Sequence, residues 1–259
     1  MIIYIIGTGV MGSAIAKALA KKGQRVFVHD KTYSKAKALA KNNKVIADKS
    51  FSYLSKADII ILAVKPYQMA DLASRIKGVI EPDSILISIA AGLTIKKLQK
   101  FFKRKKILRM MPNLGLSVGQ GIAGWKAVGL SKADKLKAKM VIKAFTENFE
   151  LKKELQINSV AAISGSGPAY FFSFAQGLEE AARNLGFSDL LARQLVEKTL
   201  NAVSILQRNH NYSDLINQVA SKKGTTLAAL GVFKQNYLNK IILKAVKAAV
   251  SRAKEISNE

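Results

Sequence analysis

The chain has 259 residues, of which 49 % are hydrophobic and 23 % charged, which suits one large or two modest globular domains and argues against a disordered body. With no cysteine it forms no disulfide, thiolate or cysteine–metal site; with only His29 and His210 it can build no multi-histidine metal centre, and a His-based triad is not expected. The net charge of +25 comes from 42 Lys and Arg against 17 Asp and Glu, but these cations are spread over helical polar positions such as Lys35, Lys37 and Lys41, with one dense run at Lys103–Lys106, so they read as a solvated surface rather than a nucleic-acid site.

The opening apolar run Ile2–Ile6 predicts a buried strand, with no charged segment before it of the kind that marks an export signal. No later stretch approaches the roughly 18 apolar residues that a membrane span needs, so a cytoplasmic protein with no membrane partner is expected. Gly12–Lys22 places Ala14, Ile15, Ala18 and Leu19 on one face and predicts a helix that Gly23 stops. Strands are predicted at Val26–Val28, Ile59–Val64, Ser84–Ile89 and Ile107–Met110, with a short helix at Ser34–Lys41. Strands that alternate with helices imply a doubly wound, mostly parallel sheet. After about residue 157 the β-branched runs vanish. Helices are predicted at Ala169–Leu185, Ser188–Arg208, Tyr212–Ala220, Thr225–Lys234 and Leu238–Ile256. The expected division is an α/β domain over 1–157 and an all-helical domain over 158–259.

Gly7-Thr8-Gly9-Val10-Met11-Gly12 lies between the first strand and the first helix. In that setting Gly7 allows the tight turn, Gly9 lets backbone approach a pyrophosphate, and Gly12 lets helix and strand pack closely. The helix N-terminus would then face the anion. The second strand ends at Asp30-Lys31. An acid there favours the ribose hydroxyls of NAD and a cation the 2′-phosphate of NADP, so these residues leave the choice open, with Lys35 one turn further on. Ala63-Val64-Lys65-Pro66 and Ala90-Ala91-Gly92 end two more strands, where such sheets bind ligands, and their small residues would let a nicotinamide and its ribose lie close. Each could equally be ordinary loop chemistry.

Ile163-Ser164-Gly165-Ser166-Gly167-Pro168-Ala169-Tyr170 opens the helical half and reads as an N-terminal cap with proline in the first turn. Ser221-Lys222-Lys223-Gly224-Thr225-Thr226 leads into another helix. Its glycine and hydroxyls make an anion cradle suited to a carboxylate, or a plain cap.

These segments, with Ser88-Ile89-Ala90-Ala91-Gly92 and Arg109-Met110-Met111-Pro112-Asn113, resemble the pyrroline-5-carboxylate reductase family in order and spacing over nearly the whole chain. The Ser-Gly-Ser-Gly-Pro-Ala-Tyr string and the Gly-Thr-Thr loop are the most specific. The resemblance implies a Rossmann-type N-terminal domain, an all-α dimerisation domain and reduction of 1-pyrroline-5-carboxylate to L-proline with NADPH or NADH, leaning to NADPH. It implies that Thr226 bonds the ring nitrogen as the catalytic contact, that Ser221, Gly224, Thr225 and Thr226 hold the substrate carboxylate, and that Ser164, Ser166 and Asn113 face the site. A homodimer or larger homo-oligomer and no metal go with it. Three departures stand out: Lys223 where the family has glycine, Leu114 after Asn113 where it has threonine, and Arg208-Asn209-His210-Asn211 before the loop. A reductase for another cyclic imine or a 2-oxo acid is the alternative the Lys223 change keeps open. A nucleic-acid-binding or cofactor-sensing role would rest on the charge alone.

Overall fold

A computed structural model of the chain describes residues 1–208 and 210–258; of the departures above, Asn209 lies outside the described residues. The chain divides into two compact units, Met1–Ser166 with Ala249–Glu259, and Gly167–Ala248.

The first unit is built on one sheet. Its strands are β1 (Ile2–Ile6), β2 (Arg25–His29), β3 (Ile46–Ala47), β4 (Ile59–Leu62), β5 (Ile85–Ser88), β6 (Ile107–Pro112), β7 (Ile122–Val128) and β8 (Glu147–Glu150). They lie in the order β3-β2-β1-β4-β5-β6-β7-β8. Every pairing is parallel except β6 with β7, as the sequence predicts for a mostly parallel sheet. The central strands are apolar at every position because both faces are covered. Ile3, Ile5, Ile59 and Ile61 point to one side, with Ile15 and Leu19 of α1 (Val10–Lys21) and Val141 and Ile142 of α5 (Lys132–Lys143). Tyr4, Ile6, Ile60 and Leu62 point to the other, with Leu72 and Ile76 of α3 (Met69–Ile76) and Leu98 and Phe102 of α4 (Ile95–Phe102). Helix α2 (Tyr33–Lys41) follows β2. Side chains start two of these helices: Thr94 Oγ1 accepts the Lys97 amide, and Ser131 and Asp134 form a reciprocal capping box.

The predicted strand Ile59–Val64 stops at Leu62 because Pro66 opens a short 3₁₀ turn just beyond it. Strands β3, β7 and β8 and helices α3 to α5 were not predicted. β7 carries Gly124 and Lys126, and β8 is acidic at both ends, so neither shows the apolar run that marked the central strands.

A helix starts just after Ser164–Ser166, as the sequence predicts, but helical backbone also precedes it. Helix α6 (Gln156–Val160) runs into a π-helical turn over Ala161–Gly165, Ser166 is a bend, and α7 (Gly167–Asn184) starts after it. The Ser166 amide donates to the carbonyl five residues back, Ala161, at 2.8 Å, and Ser164 Oγ donates to Val160 O. The physical reason is Pro168. In an uninterrupted α-helix its ring would collide with the carbonyl four residues earlier, and the wider π turn relieves that.

The second unit holds α7, α8 (Asp189–Leu206), α9 (Tyr212–Val219), α10 (Thr225–Gln235) and the first part of α11 (Leu238–Asn258). Ser188 caps α8 by accepting the Leu191 amide. Little of this unit is buried: Gly167 and Ala175 in α7, Ala192 and Val196 in α8, and no residue of α9 or α10. Phe171, Phe172 and Leu190 are 70 %, 62 % and 68 % exposed. Faces this apolar call for another protein surface. Among the described residues no helix is long and apolar enough to cross a membrane.

Candidate active site

The strand order reverses between β1 and β4, and the segments leaving their C-terminal ends lie side by side. That is where doubly wound sheets bind ligands. A Cβ on Gly7, whose φ is +102°, would sit 2.6 Å from Ala63 O, and one on Gly12 would run into Gly7 O. Neither position admits a side chain. Gly9 differs: a Cβ there would meet nothing within 4 Å, so its backbone borders open space. Gly9 is also the N-cap of α1, whose first turn carries no acid. The free amides of that turn therefore offer an anion a cradle at the edge of a cleft.

Asp30 braces this loop. One carboxylate oxygen accepts both the Thr8 amide (2.7 Å) and the Thr8 hydroxyl (2.8 Å), and the other accepts the Thr32 amide (2.9 Å). Burial pushes the Asp30 carboxyl up, but these three donors and the charge of Lys35 outweigh it and hold it below the usual carboxylate range. Ser13 Oγ donates to Thr8 O at 2.7 Å, fixing the loop from the helix side.

A cleft of about 510 Å³ opens beside the loop. Gly7, Gly9, Asp30, Lys31, Ala63, Val64 and Lys65 line it, so the structure brings three separately predicted segments together. His29, Lys35, Tyr67, Gln68 and Arg75 line it too. His29 is buried at the end of β2, its Nδ1 paired with Asp48 O at 2.9 Å and its ring 3.9 Å from that of Phe51. Burial lowers its pKa, and Arg75 adds to the effect against the opposing pull of Asp48 and Asp30. Phe51, Tyr67 and Arg75 carried no local sequence signal; folding sets Phe51 against His29 and brings Tyr67 and Arg75 to the same cleft.

The Ala90-Ala91-Gly92 segment follows β5. Gly92 has φ +76° and lies against Ile256 of α11, so Ala90 and Gly92 are buried while Ala91 is exposed. Asn113 follows β6 and its side-chain oxygen accepts the Ile122 amide at 3.1 Å, tying that loop to β7; Leu114 is exposed. Val10, exposed, and Met11, half-buried against the core, open the first turn of α1, and Pro66 starts the 3₁₀ turn after β4. Ser164 and Ser166 lie in and just after the π turn.

In the second unit the Ser221–Thr226 loop closes on itself, with the Gly224 amide donating to Ser221 O at 2.9 Å. Gly224 is the N-cap of α10 and no side chain caps it. Thr225 and Thr226 are therefore the first two helical residues, with amides free of helical partners and hydroxyls not spent on a cap. Lys223, the residue in the family's glycine position, has φ +64°, the left-handed conformation that favours glycine. Among the described residues no cluster of three or more His, Cys, Asp or Glu side chains is placed to hold a metal ion.

Compared with known proteins, the chain is 34 % identical over 263 residues to pyrroline-5-carboxylate reductase of Haemophilus influenzae, covering 98 % of this chain and 97 % of that one. This chain belongs to the pyrroline-5-carboxylate reductase family. The family's dimerisation profile matches residues 154–256, and a profile described as NADP oxidoreductase, coenzyme F420-dependent, matches residues 2–92. Among solved structures, a pyrroline-5-carboxylate reductase from Coxiella burnetii superposes with a TM-score of 0.89 at 32 % identity, covering 98 % of both chains. That from Plasmodium falciparum, solved with NADP bound, superposes at 0.83 with 27 % identity over 98 % of this chain and 97 % of its own. Membership of the reductase family makes the exposed apolar helices intelligible: α7 to α11 fall in the dimerisation profile, and the protein is a homo-oligomer.

Proposed function

We propose that the protein reduces 1-pyrroline-5-carboxylate to L-proline with a nicotinamide dinucleotide, NADPH before NADH, and so serves proline biosynthesis in the cytoplasm. The observation that carries this reading is the open backbone at Gly9, set on the N-terminus of α1 in a cleft with Lys31, Lys35, Lys65 and Arg75 on its walls, in a chain related over its whole length to reductases of that name. The donors present fit such a cofactor: free amides for a pyrophosphate and lysines for a further phosphate.

In this reading Gly7, Thr8, Gly9, Val10, Met11 and Gly12 hold the pyrophosphate, Asp30 and Lys31 border the adenosine ribose, and Ala63–Pro66, Ala90–Gly92 and Asn113 border the rest of the cofactor. The cofactor side is residues 1–157; the substrate and dimerisation side is 158–259. When bound, the reduced nicotinamide supplies the hydride that turns the ring C=N into a single bond. The chain itself supplies orientation and charge. The amides of Thr225 and Thr226, with Ser221 and Gly224, hold the carboxylate, and Ser164 and Ser166 complete the substrate side. The Thr226 hydroxyl bonds the ring nitrogen and keeps the protonated imine in place. No carboxylate or imidazole is needed as acid or base, because the nitrogen already carries its proton. The working unit is a homodimer or a larger homo-oligomer, with a small molecule as substrate and neither membrane nor nucleic acid as partner.

The test is a cofactor-oxidation assay with 1-pyrroline-5-carboxylate, run with NADPH and NADH in parallel. Substrate-dependent oxidation with proline as product is expected. Folded protein that oxidises neither cofactor would sink the proposal.

A further inference from the structure

Four cations line the cofactor cleft, and one of them is held in place by a strained aromatic residue. Phe51 has φ +61°, a left-handed conformation unfavourable for a bulky residue. Asp48 enforces it. Its carboxylate accepts the amides of Ser50 and Tyr53, which flank Phe51, and the buried hydroxyl of Tyr4. The result is a ring tilted at 31° against that of His29, 3.9 Å between centroids, with the Arg75 guanidinium 5.4 Å from the ring centroid. Arg75 projects from α3, exposed, into the same cleft as Lys31 and Lys35.

We propose that Arg75 is a specificity-determining residue of the cofactor cleft, its guanidinium seated on Phe51 so as to meet the 2′-phosphate of an adenosine nucleotide. The position supports a phosphate on the ribose rather than the pyrophosphate. Pyrophosphate belongs at the Gly9 cradle on α1, whereas Arg75 stands beside the end of β2, where the adenosine ribose lies in this fold. Its charge is felt there, since it helps depress the pKa of His29. Asp30, the acid that would otherwise accept the ribose hydroxyls, has both oxygens committed to Thr8 and Thr32. The remaining groups there are predominantly cationic: Lys31, Lys35 and Arg75 outnumber Asp30 and Asp71, the latter one turn from Arg75 on α3. A planar guanidinium stacked on an aromatic face loses less freedom on meeting phosphate than a loose lysine does.

This inference rests on the dinucleotide reading above, and the test separates the two. Binding of 2′,5′-ADP and of 5′-AMP, which differ only by the 2′-phosphate, is measured calorimetrically on the full chain and on Arg75→Gln, Arg75→Lys and Phe51→Leu. Arg75 is exposed, so Arg75→Gln should melt at the same temperature as the parent. The expected result is a preference of the parent for 2′,5′-ADP, which Arg75→Gln weakens roughly ten- to a hundredfold while 5′-AMP binding holds. Arg75→Lys and Phe51→Leu should lose part of that preference. Equal weakening of both nucleotides, or no weakening of either, overturns the Arg75 assignment and leaves the dinucleotide reading standing. A parent chain that binds neither nucleotide overturns both.

Discussion

Asp30 and Thr8, 22 residues apart in sequence, are joined by two hydrogen bonds to a single carboxylate oxygen. The acid at the end of β2 is thus a brace for the glycine loop before it is a contact for any ribose. That changes what its removal should do.

Asp30→Ala should raise the Michaelis constants for NADPH and NADH alike, by roughly tenfold, because loosening the Thr8 turn disturbs the pyrophosphate cradle common to both. Steady-state kinetics with each cofactor at saturating substrate checks this. A loss confined to NADH would mean that Asp30 reads the ribose directly.

Thr226→Ala should lower kcat/KM by roughly ten- to a hundredfold or more, the effect of losing one hydrogen bond to a charged group of about 1.5–3 kcal/mol. Its melting temperature should hardly move, since Gly224 is the N-cap of α10 and no side chain caps that helix. A lower melting temperature with unchanged kcat/KM would reduce Thr226 to a structural residue.

Lys223→Gly should stabilise the protein slightly. Relief of the left-handed lysine is worth about 1–2 kcal/mol and the extra freedom of glycine in the unfolded chain costs about 0.5–1 kcal/mol. The difference, about 0.5–1 kcal/mol, corresponds to roughly 1–4 °C in Tm for a chain of this size. A fall in Tm would show that the lysine makes a compensating contact.

Arg109 on β6 is 2 % exposed and donates to Glu154 at 2.9 Å and to Asn158 at 3.4 Å, while Glu154 is 29 % exposed and also accepts the Ile95 amide at the start of α4. The two partners should respond unequally. Glu154→Gln leaves the buried guanidinium without a compensating charge and should cost about 3 kcal/mol. Arg109→Met leaves a carboxylate that water can reach, removes the unpaired Arg109 Nε, and should cost about 1 kcal/mol. Denaturant unfolding of the two variants, with the double variant as control, tests the order; the reverse order would refute this account.

His29 offers a pH signature. Burial lowers its folded pKa, so the unfolded chain takes up the proton first as pH falls. Its contribution to stability is complete above about pH 6.5, the unperturbed value, and is lost as pH drops below that towards the folded pKa. His29→Phe, which keeps a ring beside Phe51, should flatten the dependence of Tm on pH across that window. An unchanged slope would remove His29 from the explanation.

The glycine loop, the central strands and the helical half were legible because each depends on local rules. Gly7 and Gly12 sit where no Cβ fits, and the runs Ile2–Ile6 and Ile59–Leu62 are apolar on both faces. What escaped notice depends on contacts distant in sequence. Nothing near Phe51 shows that it will meet Arg75, 24 residues on, and nothing in the acidic edge strand β8 shows that β7 will pair with it. Ser164–Ser166 was legible as the approach to a helix that starts at Gly167; the π turn before it was not, because it shows only in the bond from the Ser166 amide to Ala161 O.

The bare apolar faces of α7 and α8 make the fold a matter of concentration. A homo-oligomer with phenylalanines this exposed on each chain has a midpoint of unfolding that rises with protomer concentration, since association stabilises only the folded form. It also binds the fate of one copy to another. An inactive variant with intact α7–α11 will enter mixed assemblies with normal chains, so a damaged allele of such a protein can act on its healthy neighbour.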